Sequence, residues 1–222
     1  LSIFYLNKII SFIASLEQFI IKDIPLNTPL LISSYFVIIT AAIALQQKHF
    51  KNLVWVLIAI ITFQISTIAT KWKVQNQTEF IVLNTSKKTG IIERNGYNVK
   101  LFANDSMIKN AKTNKVLASY LTANFSTLKE KHKLTNLIYF KGNKILLIDS
   151  SKAYPKNVQP DILILTQSPK INFDRLLQAM KPKIVIADAS NYKSFQKKWE
   201  ASCNQQKIPF HATAEKGFFK IN

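Results

Sequence analysis

The stretch Asp161–Asp188, DILILTQSPKINFDRLLQAMKPKIVIAD, decides the fold. Two short apolar runs, Ile162–Leu165 and Lys183–Ala187, are rich in Ile, Leu and Val and are bounded by polar residues or Pro, as interior strands require. Between them the sequence predicts a loop over Thr166–Lys170 and a helix over Ile171–Met180. Leu176, Leu177 and Met180 give that helix one apolar face at three-to-four spacing, and Pro182 stops it. Strand, helix and strand of these lengths form a unit of an α/β sheet. Ligands of such sheets bind at the loop leaving the carboxyl end of a strand, here Thr166-Gln167-Ser168-Pro169-Lys170. It holds no His, Cys or carboxylate, which argues against metal chemistry in it.

Charge is divided unevenly along the 222 residues, whose formal net charge is +18. Before Lys71 the only charged residues are Lys8, Lys22, Lys48 and Lys51 against Glu17 and Asp23. The remaining 26 of 30 basic and 10 of 12 acidic residues follow, a net +16. The first part therefore reads as membrane and the second as a basic domain of ordinary size. The opening residue is Leu1 rather than Met, as expected of a piece of something longer. The single cysteine, Cys203, excludes an internal disulfide.

Residues 1–22 carry a broad apolar stripe through Phe4, Ile9, Phe12, Ile13, Leu16 and Ile20, interrupted by Asn7, Lys8, Ser11 and Glu17. This predicts an amphipathic helix, at the membrane interface or against other membrane helices. Asp23–Pro29 is a turn in which Asn27 or Thr28 can cap the next helix, with Pro29 at its first position. Leu30–Leu45 and Leu53–Thr70 are uncharged, each about long enough to cross roughly 30 Å of hydrocarbon. Joined by residues 46–52, they predict a transmembrane hairpin, with Tyr35, Trp55 and Trp72 as candidate interface anchors. Lysines near the two ends nearly balance, so orientation is left open. Period-two runs at 79–84, 89–94 and 97–103 predict strands, with Asn95-Gly96 as a tight hairpin turn. A helix is expected from Asp105 to about Phe125, a hairpin over 136–149, a helix over Asn191–Gln206, and closing strands at 207–213 and 217–221. The fold class is a layered α/β domain over 74–222 behind a membrane segment over 1–73.

The run from Ile145 to Ile221 resembles the carboxyl end of ComEC-type DNA-uptake proteins, in their Bacteroidetes version. The resemblance rests on Asp161–Leu165, the loop to Lys170, Leu176–Asp188, Trp199–Cys203, and Ile208-Pro209-Phe210-His211 with Thr213 and Gly217 beyond. It implies a multi-pass protein of the inner membrane, whose channel domain precedes a metallo-β-lactamase-like domain. Its implied partners are DNA, single-stranded for preference, membrane lipid, the upstream channel domain and competence accessory proteins. The departures from the family pattern carry as much weight. Where intact members have His-His-Gly-Ser after the strand equivalent to Ile162–Leu165, this chain has Gln167-Ser168-Pro169-Lys170. A later Gly-His-Pro is missing after Asn191-Tyr192, and no His-x-His-x-Asp-His occurs. His49 falls in the membrane loop and His132 in a lysine-rich loop, leaving His211. The domain is thus expected to be a degenerate relative without metal, cofactor or catalytic residues.

Asp149, Asp161, Asp188 and His211 are the candidate remnants of a metal site. The plainer reading is that strand-end Asp residues bond loop amides or cap helices, and Asp188–Asn191 has the composition of a helix cap. Gln167, Ser168, Lys170, Arg175 and Lys193 are the candidate nucleic-acid contacts, near helix amino ends that attract phosphate. The plainer reading is a polar loop with Asn172 or Ser168 capping the helix. Ser168 lacks a nearby His and the Gly-x-Ser-x-Gly elbow of a nucleophile. Tyr154, Tyr192 and Phe195 are of the type that stacks on bases. Lysine far outnumbers arginine, which favours diffuse backbone attraction over base reading. The expectation is a DNA-guiding membrane domain that does not cut. The alternatives are a metal-dependent hydrolase with a rebuilt site, or a structural lid.

Overall fold

A computed structural model describes residues 2–15, 24–155 and 157–221. Helix α1 spans Ser2–Ser15; the rest of the expected amphipathic helix, 16–22, lies outside the described residues. Asn27 caps α2 (Thr28–Gln46) by accepting the Leu30 N–H at 3.0 Å, with Pro29 in the first turn, as predicted. The helix α3 (Phe50–Gln75) runs antiparallel to it and is longer than the apolar run alone implied. Both are long and apolar enough to cross a membrane, and most of each faces outward. Their seam holds the small and polar residues Ser33, Thr40, Ala59 and Thr70, as helix contacts in lipid favour. Asn27 Nδ2 donates to Thr70 Oγ1 at 2.8 Å and ties the start of α2 to the end of α3.

Two residues after α3 the chain enters the first of two five-stranded sheets. This sheet contains β1 (Thr78–Val82), β2 (Gly90–Asn95), β3 (Asn98–Ala103) and β4 (Thr127–Lys133), with β10 (Phe219–Ile221) on the edge beside β1. The second has the order β5 (Leu137–Phe140), β6 (Asn143–Ile148), β7 (Ile162–Leu165), β8 (Ile184–Ala187) and β9 (Phe210–Ala212). Strands β6 to β9 are mutually parallel. The alternation of each strand splits its apolar residues between two layers. Phe80, Val82 and Ile91 of the first sheet meet Ile145, Leu147, Ile164 and Ile186 of the second in a central core. The outer face of the first sheet is covered by α4 (Asp105–Lys109) and α5 (Lys115–Ala123) through Met107 and Leu117. The outer face of the second is covered by α6 (Phe173–Met180) and α7 (Lys193–Gln205) through Leu177, Trp199 and Cys203. The result is a four-layer α-β-β-α arrangement. Burial among these side chains pushes the Cys203 thiol up to about 12.

Several expectations need correction. The helix expected over 105–125 is three pieces, because Asn104 and Asn114 each cap a new start and Asn110 ends the first. Thr127–Lys133 is a strand at the sheet edge, so His132 belongs to β4 and not to a loop. The two closing strands are shorter than expected, at Phe210–Ala212 and Phe219–Ile221. β9 joins β8, β10 joins β1, and α8 (Thr213–Lys216) carries the chain between the sheets. Asn172, rather than Ser168, caps α6, accepting the Arg175 N–H at 3.1 Å.

Candidate nucleic-acid interface

Because β6, β7 and β8 are parallel, the loops at their carboxyl ends gather at one end of the second sheet. Asp188 ends there with a fully buried side chain. Its Oδ1 accepts the Ser190 N–H and Oγ–H and the Asn191 Nδ2–H, while Oδ2 is buried with no protein partner. Burial pushes this carboxyl up to about 6, against the opposing hydrogen bonds from Ser190. The run Asp188–Asn191 therefore does not cap α7, whose first flanking residue is Tyr192 with no side-chain cap bond. It braces the neighbouring loop.

That brace has a definite task. Gln167 and Ser168 both have positive φ, 57° and 52°, a conformation that costs non-glycine residues on the order of 1 kcal/mol each. Ser190 Oγ accepts the Gln167 N–H at 2.7 Å and Asn191 Oδ1 accepts the Ser168 N–H at 2.7 Å. Ser168 Oγ in turn accepts the Tyr192 N–H at 2.8 Å. Asn191 Nδ2 also donates to the Leu165 carbonyl at 2.6 Å. Truncating this residue strands several buried groups at once. Asn191→Ala is expected to cost about 2 kcal/mol and to speed amide hydrogen exchange at Ser168, read by mass spectrometry.

The turn between β1 and β2 reaches this place from the other sheet. Thr89 Oγ1 donates to Ser190 Oγ at 3.3 Å and the Lys87 N–H donates to the Ala189 carbonyl at 3.4 Å. Together the loops border an open cleft of about 600 Å³ lined by Ser86, Lys87, Gln167, Ala189–Asn191, Tyr192 and Lys193. Tyr192 is 72% exposed, so its ring stands free at the mouth.

The candidate residues separate on this map. Gln167 and Lys193 line the cleft, and Ser168 is buried behind it. Lys170 is exposed on the same loop. Arg175 instead borders a second cleft of about 440 Å³ along α6, with Lys152 and Tyr154. Of the four remnant candidates, Asp149 and Asp188 both end strands at the cleft end of the sheet. Asp149 accepts the Ser151 N–H and Oγ–H in a local turn. Asp161 stands at the opposite end of β7, where its Oδ2 accepts the Lys144 N–H and its Oδ1 pairs with Lys183 Nζ at 2.9 Å. Those two bonds hold its carboxyl below the usual range. His211 is paired with Ile186 within β9, its Nε2 is 3.0 Å from the Gly217 carbonyl and its ring packs on Phe219. Among the described residues, no three His, Cys, Asp or Glu side chains are grouped to hold a metal ion. Lys87 and Ser86 were invisible from sequence as cleft residues, since their turn belongs to the other sheet.

The family model described as the ComEC C-terminal domain matches residues 80–222, which takes in both sheets. No curated protein and no solved structure matches the chain.

Proposed function

The chain belongs to the ComEC C-terminal domain family, which ties it to competence DNA uptake at a membrane, and from that premise we propose that its cleft holds and guides a single DNA strand without cutting it. One observation carries this reading: Lys87, from the β1–β2 turn of the first sheet, and Lys193 and the exposed Tyr192, from the start of α7 on the second, converge on one open cleft. Lysines supply counterion-releasing contacts to phosphate, and a free aromatic ring supplies a stacking surface for an unpaired base. Gln167 adds a neutral hydrogen-bonding head; its Oε1 accepts from Ser150 Oγ at 3.0 Å, which leaves the amide N–H groups for an acceptor. The four-layer α-β-β-α order supports the reading of a degenerate metallo-β-lactamase-like domain. A rebuilt metal-dependent hydrolase would need Asp149, Asp161, Asp188 and His211 together, and Asp161 lies at the far end of its strand.

The test uses the full chain in lipid nanodiscs with labelled single- and double-stranded oligonucleotides, with and without Mn²⁺ or Zn²⁺. Binding is expected to favour the single strand, to weaken with salt and to proceed without cleavage in either metal. Tyr192→Ala is expected to lower single-strand affinity about tenfold, the scale of one lost stacking contact, and to leave duplex affinity nearly unchanged. Absence of binding at low salt would sink the proposal in favour of a structural lid. Metal-dependent cleavage would put the hydrolase first.

A further inference from the structure

The end of the two sheets opposite the cleft is the end joined to the membrane hairpin. Three hydrogen bonds clasp the junction. Tyr97 Oη donates to the Lys71 carbonyl at 2.8 Å, the Gly96 N–H donates to the Gln77 carbonyl at 2.8 Å, and Lys141 Nζ donates to the Thr78 carbonyl at 3.4 Å. The β2–β3 turn therefore reaches back along α3, and the β5–β6 turn sits beside its exit. Since β6 to β9 are parallel, every one of them begins at this end. Their starts place cations in a row. The Lys144 carbonyl accepts from Asp161 N–H, and the Asp161 carbonyl accepts from Lys183 N–H, so these residues are neighbours across adjacent strands. Pro209, two residues after Lys207, accepts from Val185 N–H and extends the row to β9. Strands lie about 4.8 Å apart, so the row runs roughly 15 Å. Lys144, Lys181, Lys183 and Lys207 are all exposed. Asp161, the acid within the row, accepts the Lys144 N–H and pairs with Lys183 Nζ at 2.9 Å, so Lys183 is partly neutralised and Lys144, Lys181 and Lys207 carry the rim's net positive charge.

This rim lies at the same end of the sheets as the exit of α3, and the β5–β6 turn links the two through Lys141 Nζ and the Thr78 carbonyl. The 26-residue helix is roughly 39 Å long at 1.5 Å per residue, more than the roughly 30 Å of hydrocarbon it has to cross. Its excess carries Lys71, Lys73 and, between them, Trp72, which is 71% exposed. Lysine flanking an exposed indole at a helix end is the composition of a headgroup layer.

We propose that the lysine rim formed by the starts of β6, β8 and β9, together with Lys71 and Lys73, docks on the anionic lipid headgroups around the exit of α3. Docking there fixes the sheets relative to the bilayer and turns the opposite end outward, one strand length, or about 20 Å, from the rim. The rim's position at the hairpin end of the domain, on the same side as Lys71, Trp72 and Lys73, favours lipid over nucleic acid as its occupant. The inference takes α2 and α3 to span the membrane and does not depend on what the cleft binds.

The test is lysine acetylation of the full chain, followed by mass spectrometry, in nanodiscs of phosphatidylcholine alone and of phosphatidylcholine with 30% phosphatidylglycerol. Anionic lipid is expected to slow acetylation at Lys144, Lys181, Lys183 and Lys207 by about fivefold and to leave Lys87 and Lys193 unchanged. The triple variant K144Q/K183Q/K207Q is expected to lose the protection of Lys181. Equal reactivity of the rim in both discs would overturn the proposal. So would equal protection of cleft and rim, which means diffuse attraction only. A single-stranded oligonucleotide that protects the rim in neutral discs, where anionic lipid does not, would assign the surface to DNA instead.

Discussion

Arg94→Ala is expected to destabilise the domain by about 3–5 kcal/mol, the range for removing one partner of a buried ion pair. Arg94 is fully buried at the end of β2. Its Nη2 lies 2.9 Å from Glu79 Oε1 and donates to Gln77 Oε1 at 2.6 Å, and its Nη1 donates to the Asn124 carbonyl at 3.2 Å. Glu79 also accepts from Lys220 Nζ at 2.6 Å and from the Tyr120 hydroxyl at 3.1 Å. Burial alone would push the Glu79 carboxyl up, but the Lys220 hydrogen bond, the two cations and Tyr120 together hold it below the usual range. Without Arg94 that balance is disturbed. The network joins β1, β2, β10, α5 and the segment leaving α3, so its loss loosens the domain where it meets the hairpin. Thermal unfolding of the solubilised chain should shift down by roughly 10 °C. The double variant Glu79→Met with Arg94→Met should recover part of the loss, since apolar replacement of both charges removes the uncompensated ion. A single variant within 1 kcal/mol of wild type would refute the account of this network.

The second large effect is at Asp188. Its carboxyl, pushed up to about 6 from an ordinary 3.8, holds its proton more tightly in the folded state than in the unfolded chain. Folding is therefore favoured most below about pH 4. Its contribution falls as pH rises to about 6 and is level above that. The two-unit difference corresponds to about 3 kcal/mol. Asp188→Asn removes the titration while keeping an oxygen for Ser190 and Asn191. The wild-type curve of stability against pH, minus that of Asp188→Asn, should fall by up to about 3 kcal/mol between pH 4 and 7, measured by denaturant unfolding. Parallel curves would mean that Asp188 is solvated or paired in a way the buried, unpartnered Oδ2 does not allow.

The strand–helix–strand unit was legible from sequence because its interior strands are apolar on both faces and its helix has one clear face. The hairpin of α2 and α3 was legible for the same reason, since uncharged runs of that length have few alternatives. Strand β4 was not, because TLKEKHK is an edge strand with only Leu128 partly inward, and lysine at an edge serves to block further pairing rather than to fill a core. The break at Asn110–Asn114 was hidden because Ala111, Val116 and Leu117 keep a helical spacing across it. At the site, Gln167 and Lys193 could be found from their positions after β7 and at the start of α7. Lys87 could not, since nothing in its own turn records that the two sheets meet there. The composition of Asp188–Asn191 pointed to a helix cap, whereas its hydrogen bonds go to the left-handed loop beside it. Composition identifies groups able to satisfy backbone amides, but not which amides they satisfy.

The most direct test of the central claim is the salt dependence of single-strand binding by the full chain and by K87Q/K193Q. Each phosphate contact to a single strand contributes about 0.7 to the slope of log affinity against log salt. Loss of the two cleft lysines should lower that slope by about 1.4, whereas the rim variant K144Q/K183Q/K207Q should leave it unchanged. A slope untouched by K87Q/K193Q, or lowered as much by the rim variant, would contradict a strand guided through the cleft and leave only diffuse attraction between a basic domain and DNA.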